Sequence, residues 1–229
     1  MIVPFRTDQV CYPDSDGEPM ADNTLQFDWI AILKWNADAY LASNPSAFVA
    51  GDHLIYPVEN EPDTRLAPDV YVAFGRPKGY RGSYRVWEED GIFPQVIFEV
   101  WSPNNRYKPM RKKFEFYERY GAEEYYILYP EFPAHAEGWT RKEGRLVEIE
   151  SMDGWVSKRL GFRFALSAGQ LAVFGPDGRE LRRPDEIAAE RDAERARAEA
   201  EAKRAESAEQ RAARLAAKLR ELGLDPDAT

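Results

Sequence analysis

Hydrophobic positions first recur at helical spacing over residues 25–40, where Leu25, Trp29, Ile32, Leu33 and Tyr40 fall on one face. Asn23 and Gln26 stand at capping-box spacing just ahead of them, and Asn44-Pro45 closes the segment, so the pattern predicts a first helix. Residues 47–58 then read as two short strands, AFVAG and HLIYPVE, joined by a turn near Gly51-Asp52. DVYVAF, 69–74, is β-branched and aromatic and ends at Gly75. GRPKGYRGSYR after it is a Gly-rich basic loop. QVIFEVW, 95–101, is an almost unbroken apolar run, the mark of a central strand buried on both faces, with one charge, Glu99, set in it.

SPN breaks that strand, and a helix is predicted from about Lys108 to Tyr120, with Gly121 in the C′ position. EYYILY, 124–129, is a second buried strand. Residues 138–164 carry short strands with turns at Glu143-Gly144 and Asp153-Gly154, and 171–183 a strand-like stub and a turn. Composition changes abruptly at Pro184. The run to Gly223 is almost all Ala, Glu, Arg and Lys, which predicts one long charged helix over 184–222. Ala205, Ala208, Ala212, Leu215, Leu219 and Leu222 form a heptad seam in it, while Ala189, Ala193, Ala196 and Ala200 form another out of phase. The seam fits either a solvated helix or a coiled coil. Its small residues bury little area, so any homo-oligomer formed through it should be weak. The expected organisation is a body over 1–183 and a C-terminal helical segment over 184–229.

Composition narrows the chemistry. With 44% hydrophobic and 13% aromatic residues, the chain can bury a core. No apolar run approaches the ~20 residues of a membrane span. MIVPFRTDQV lacks the basic and apolar regions of a secretion signal, and Cys11 is the single cysteine, so a cytoplasmic protein without membrane contact is expected. A net charge of −9 argues against coating nucleic acid by electrostatics alone. Locally the balance differs: Arg106, Lys108, Arg111, Lys112, Lys113 and Arg119 face only Glu115 and Glu118 in the same stretch, and Arg76–Arg85 holds basic residues and no acid. Two histidines and one cysteine are too few for a Cys/His zinc site. A phosphate-binding Gly-x-x-x-x-Gly-Lys loop, a dinucleotide fingerprint and a Gly-x-Ser-x-Gly elbow are all absent from the sequence.

Three residues stand out. Glu99 in an apolar strand needs a partner, either a salt bridge or a metal ion. Asp69 follows Pro68 and so starts an extended segment. Two carboxylates on neighbouring strands can share a hard cation such as magnesium. On the predicted helix, Met110, Phe114, Tyr117 and Gly121 line one face; Lys113 sits at its edge and Lys112 points nearly opposite. Lys113 can aim its ammonium into a cleft, or snorkel over the core edge as lysines commonly do.

APDVYVAFG, VIFEVWSPNNR and KKFEFYERYGAEEYYILYP together resemble the Uma-type putative restriction endonuclease family of the PD-(D/E)XK nuclease superfamily, over approximately residues 15–175. The resemblance implies an α/β restriction-endonuclease-like core, a mixed sheet flanked by helices, with the long charged helix outside it. It matches Asp69 to the family's Pro-Asp motif, Glu99 to its strand acid, Lys113 to its lysine and Tyr117 to its helix tyrosine. Trp101 stands where the superfamily's usual lysine would be, and Pro109 where many members carry an acid. The implied activity is hydrolysis of nucleic-acid phosphodiesters, in DNA, with magnesium or manganese held by Asp69 and Glu99 with help from the Val100 carbonyl. Arg81, Arg106 and Tyr117 are then expected at the nucleic acid. Two rivals share these residues: a nucleic-acid-binding module that keeps the fold but cleaves nothing, and an interaction protein whose working part is the C-terminal helix.

Overall fold

The computed structural model describes residues 10–17, 19–103 and 107–221. The chain divides into two compact units, Met1–Arg183 and Pro184–Thr229.

In the first unit, helix α1 (Thr24–Tyr40) is followed by strands β1 (Ala47–Gly51), β2 (Ile55–Tyr56), β3 (Val70–Phe74), β4 (Tyr84–Arg85) and β5 (Val96–Val100). Helix α2 (Tyr107–Tyr120) leads to β6 (Glu124–Tyr129), β7 (His135–Lys142), β8 (Arg145–Glu148), β9 (Arg163–Ser167) and β10 (Gln170–Phe174). Six strands form one mixed sheet in the order β1-β3-β5-β6-β7-β8. Only β5 and β6 run parallel within it, and α2 is the crossover between them. Because β5 carries side chains to both faces, its residues split alternately. Val96, Phe98 and Val100 pack with Ile30, Leu33 and Ala37 of α1, while Ile97 packs with Met110 and Tyr117 of α2. This is the α/β restriction-endonuclease-like arrangement, a mixed sheet with helices on both faces, plus a long C-terminal helix.

Two local expectations change. The buried face of α1 is Gln26, Ile30, Leu33, Asn36 and Ala37, whereas Leu25 is exposed and Trp29, Ile32 and Tyr40 are half-buried. The rotation follows from Gln26. Its backbone N–H still donates to Asn23 Oδ1 at 2.9 Å, completing the cap, but its side chain turns inward to donate to the Val100 carbonyl at 2.9 Å. Strands β1 and β2 also do not pair as neighbours. β1 lies antiparallel to β3, and β2 pairs in parallel with β4 in a separate small sheet. The chain leaves β1 through Asp52 at φ 46°, and His53 is drawn across to Tyr71 Oη (2.5 Å) and the Arg81 carbonyl (3.1 Å).

The turn at Glu143-Gly144 joins β7 to β8, both residues lying at positive φ (49° and 84°) as a tight hairpin requires. On β7, Gly138 stands where a side chain has no room: a Cβ there would come within 2.6 Å of Met152 Sδ and 2.8 Å of Ile149 Cδ1. Gly138→Ala is expected to destabilise the fold by ~1–3 kcal/mol, as overpacking does. Urea unfolding measures it, and an unchanged midpoint would show that the neighbours yield freely.

The second unit is helix α3 (Pro184–Glu221), 38 residues long. Asp185 and Glu186 in its first turn and Lys218 and Arg220 in its last complement the helix dipole. Leu215 of the heptad seam is 58% exposed within this unit, and Leu222 falls outside the described residues. Among the described residues no helix is long and apolar enough to cross a membrane.

Candidate active site

Strand register brings the acids together. Val70 is opposite Phe98, so Asp69, one residue earlier, stands opposite Glu99. Gly51 is opposite Val70, so Asp52 stands opposite Asp69 on the other side. The Asp52 N–H donates to the Asp69 carbonyl at 3.1 Å. Asp52, Asp69 and Glu99 thus occupy one cross-strand row at one end of the sheet. Pro68, buried and unable to continue the ladder, holds the chain extended into Asp69. Asp69 Oδ2 accepts from the Val100 N–H at 2.6 Å, which fixes the carboxylate against β5.

Glu99 is 1% exposed. Its two oxygens are taken separately: Lys113 Nζ donates to Oε2 at 2.6 Å and Tyr117 Oη to Oε1 at 2.6 Å. Lys113 and Tyr117 lie four residues apart on α2, one turn, so both reach the same carboxylate. Lys112, adjacent in sequence, is exposed. Burial alone would lower the Lys113 ammonium, but the charges of Glu99 and Asp69 outweigh it and raise its pKa. Burial, reinforced by Glu99, drives the Tyr117 phenol well above its ordinary value. Lys113 is therefore charged and Tyr117 protonated.

Asp69 behaves in the opposite sense from a normal carboxylate. Burial first and the Glu99 charge second push its pKa up to about 8, with Lys113 and the Val100 N–H only partly compensating. The same logic raises Asp52, through burial and then the charge of Asp16. A neighbouring carboxylate pair that cannot ionise fully is an incomplete electrostatic arrangement, and a divalent cation between the two would complete it. The donors are hard oxygens, which suits magnesium or manganese. Among the described residues no group of three or more His, Cys, Asp and Glu is gathered closely enough to hold a metal ion by itself. Val100 contributes its N–H to Asp69, and its carbonyl accepts from Gln26, leaving one carbonyl lone pair for a ligand.

A second buried acid provides a contrast. Glu124, at 2% exposure, accepts from Tyr126 Oη, Ser157 Oγ and the Arg159 N–H. Its donors come from β6 and the segment before β9, and no other carboxylate opposes it in the register, so its role is to fasten those segments.

The remaining expected residues are placed elsewhere. Tyr117 is fully buried against Glu99, so it is held from nucleic acid. Arg81 is turned inward: its guanidinium pairs with Glu89, donates to the Pro77 and Gly79 carbonyls and lies 4.1 Å from the Phe48 ring centroid. Arg76 shares the same acid at 2.7 Å. Burial opposes ionisation of Glu89, but the two guanidiniums outweigh it and hold its pKa below the ordinary value. The arginines of the basic loop, Arg76, Arg81 and Arg85, are thus paired with the acids Glu88-Glu89-Asp90 that follow it, a signal the sequence contained. Arg106 lies outside the described residues. Gln26 and Asp52 are the members of the site that sequence spacing did not reveal. Gln26 was legible only as a cap, and Asp52 only as a turn residue.

Residues 22–173 match the sequence model of a family described as Uma2, putative restriction endonuclease. Among solved structures, the chain is similar to a putative nuclease of the DUF820 group from Anabaena variabilis, with 10% identity over 59% of this chain and 72% of that one and a TM-score of 0.45. No curated protein matches.

Proposed function

Because this chain belongs to the Uma2 family of putative restriction endonucleases, for which a nuclease function follows, we propose that it hydrolyses DNA phosphodiester bonds with a divalent cation, magnesium or manganese, at Asp69 and Glu99. The observation that carries this reading is the opposed pair itself: two carboxylates in register, one ion-paired to a half-buried lysine and the other kept protonated near neutrality. A merely structural salt bridge needs only Glu99 and Lys113. Asp69 adds a second, half-buried acid, whose cost Lys113 and the Val100 N–H offset only in part and a cation in the site would offset further.

Asp69 and Glu99 would hold the cation, with the Val100 carbonyl as a third oxygen. When bound, magnesium supplies Lewis acidity, activating water and offsetting charge on the phosphate. The protein's own residues prepare that chemistry. The Val100 N–H and Tyr117 Oη each fix one carboxylate oxygen, so the ligands do not have to reorganise. Lys113, positively charged and held to Glu99, stabilises the negative charge that develops on the phosphate. Cation binding requires Asp69 to give up its proton, so affinity should rise with pH. Lys112 and the other exposed bases on α2 are suited to the phosphate backbone.

The test is cleavage of labelled single-stranded and duplex DNA with magnesium, with manganese and with a chelator. Product is expected only with metal. Metal binding without product under any condition would favour a silent DNA-binding protein instead.

A further inference from the structure

Beyond Glu99, on the same face of the sheet, lies a feature that the acid pair does not require. Trp101, two residues after Glu99, donates its N–H to the Leu128 carbonyl at 2.8 Å and so continues the β5–β6 register. Its register partner is Tyr129, and Tyr129 is opposite His135 on β7. The three rings form a row across three strands. The Trp101 and Tyr129 centroids are 5.3 Å apart with planes inclined 31°, and those of Tyr129 and His135 are 3.9 Å apart with planes inclined 10°. Glu137, opposite Ile127 and in the same row as Glu99, ties the stack down: Tyr129 Oη donates to it at 3.0 Å, and His135 Nε2 lies 3.7 Å away.

The aromatic row behind it, formed by Tyr125 and Trp139 with Phe114 of α2, packs between sheet and helix. Trp101 and Tyr129 rest on the edge of the same cluster, and their row runs outward from it to the exposed ring of His135. Trp101 and Tyr129 are half-buried and the His135 side chain is 52% exposed, so this is an ordered, partly exposed stack at the end of the sheet that carries Glu99. Rows of aromatic rings with roughly parallel faces bind nucleobases by extending the stack, and do so without reading sequence. A base inside a duplex already has both faces covered by its neighbours. Only an unpaired base can join.

We propose that the Trp101–Tyr129–His135 stack is a base-binding shelf that receives an unpaired nucleobase beside the scissile phosphate, which makes single strands and unpaired ends, rather than continuous duplex, the substrate class. This rests on the nuclease reading for the position of the phosphate, but the shelf has its own readout. Trp101, Tyr129 and His135 are then specificity-determining residues, not catalytic ones.

The experiment uses the full chain and oligonucleotides carrying 2-aminopurine, whose fluorescence is quenched on stacking. Binding of a single strand, without added metal, should quench the probe, and a duplex of the same sequence should show little change. Trp101→Leu and His135→Ala should each weaken single-strand binding on the order of tenfold or more and restore fluorescence. Trp101→Phe, which keeps a ring, should retain most of the quenching and guards against a folding defect in the leucine variant. With magnesium or manganese, the wild type should cut the single strand faster than the duplex, and Trp101→Leu should lose that preference. Quenching that survives in both Trp101→Leu and His135→Ala would overturn the shelf even if cleavage is robust. Quenching that depends on Trp101 in a protein that cuts nothing would uphold the shelf and remove the hydrolysis reading instead.

Discussion

Lys113→Ala is expected to lower metal-dependent cleavage by about 10²–10³-fold, the usual loss when a positioned charge-stabilising group is removed. Lys112→Ala should leave turnover near wild type and cost only weaker, more salt-sensitive binding of substrate. The two lysines are neighbours of equal charge, so composition cannot separate them. Geometry does: Lys113 Nζ lies 2.6 Å from Glu99 Oε2, while Lys112 is exposed. Glu99→Gln should match the Lys113 loss, since it removes both a cation ligand and the partner of the ammonium. Two measurements guard the interpretation. Melting temperature must be recorded, because Lys113→Ala leaves the buried Glu99 charge unpaired. Cation binding must also be titrated, since Lys113→Ala should keep it and Glu99→Gln should lose it. Equal, modest losses in Lys113→Ala and Lys112→Ala would reduce both lysines to a basic patch and end the mechanistic assignment.

Without metal, Asp69→Asn is expected to stabilise the protein, and more so at higher pH. In the unfolded chain this carboxyl titrates near its ordinary value of 3.8, whereas in the fold it holds its proton to about 8. The folded state therefore binds more protons across that window. The stability contributed by protonated Asp69 is complete below pH ~4 and is lost as pH rises through about 8. The asparagine variant does not titrate and escapes the loss. Allowing for water at a half-buried carboxylate, the difference should reach a few kcal/mol above pH 8, roughly 5–10 °C in melting temperature. Magnesium should recover most of this gap in the wild type and leave the variant unmoved. Thermal melts from pH 5 to 9, with chelator and with magnesium, decide the matter. A wild-type melting temperature that tracks the variant's at every pH would mean that Asp69 ionises freely and that the pair is not poised for a cation.

Much of the site is legible along the chain because its anchors are local. Pro68 announces an extended Asp69, an acid within VIFEV must be buried, and the turn-by-turn spacing of Met110, Lys113 and Tyr117 puts all three toward the sheet. What spacing could not supply is the destination of long side chains. Tyr117, Arg81 and Gln26 each have several ångströms of reach, and where each ends depends on residues 8 to 74 positions away.

The sequence by itself determined the elements that read as continuous apolar runs, β3, β5 and β6, and the helix between the last two of them. It also determined the helical character of the run from Pro184, since Ala, Glu, Arg and Lys favour a helix whatever surrounds them. The tertiary structure decided strand partners and facing. β1 has the same alternation whether it pairs with β2 or with β3, so pairing with β3, and with it the row Asp52–Asp69–Glu99, depends on contacts distant in sequence. It likewise decided that α1 turns a polar residue, Gln26, into the core, because a buried carbonyl on β5 needed a donor. Periodicity records which residues can be buried. Only the folded chain records what they are buried against.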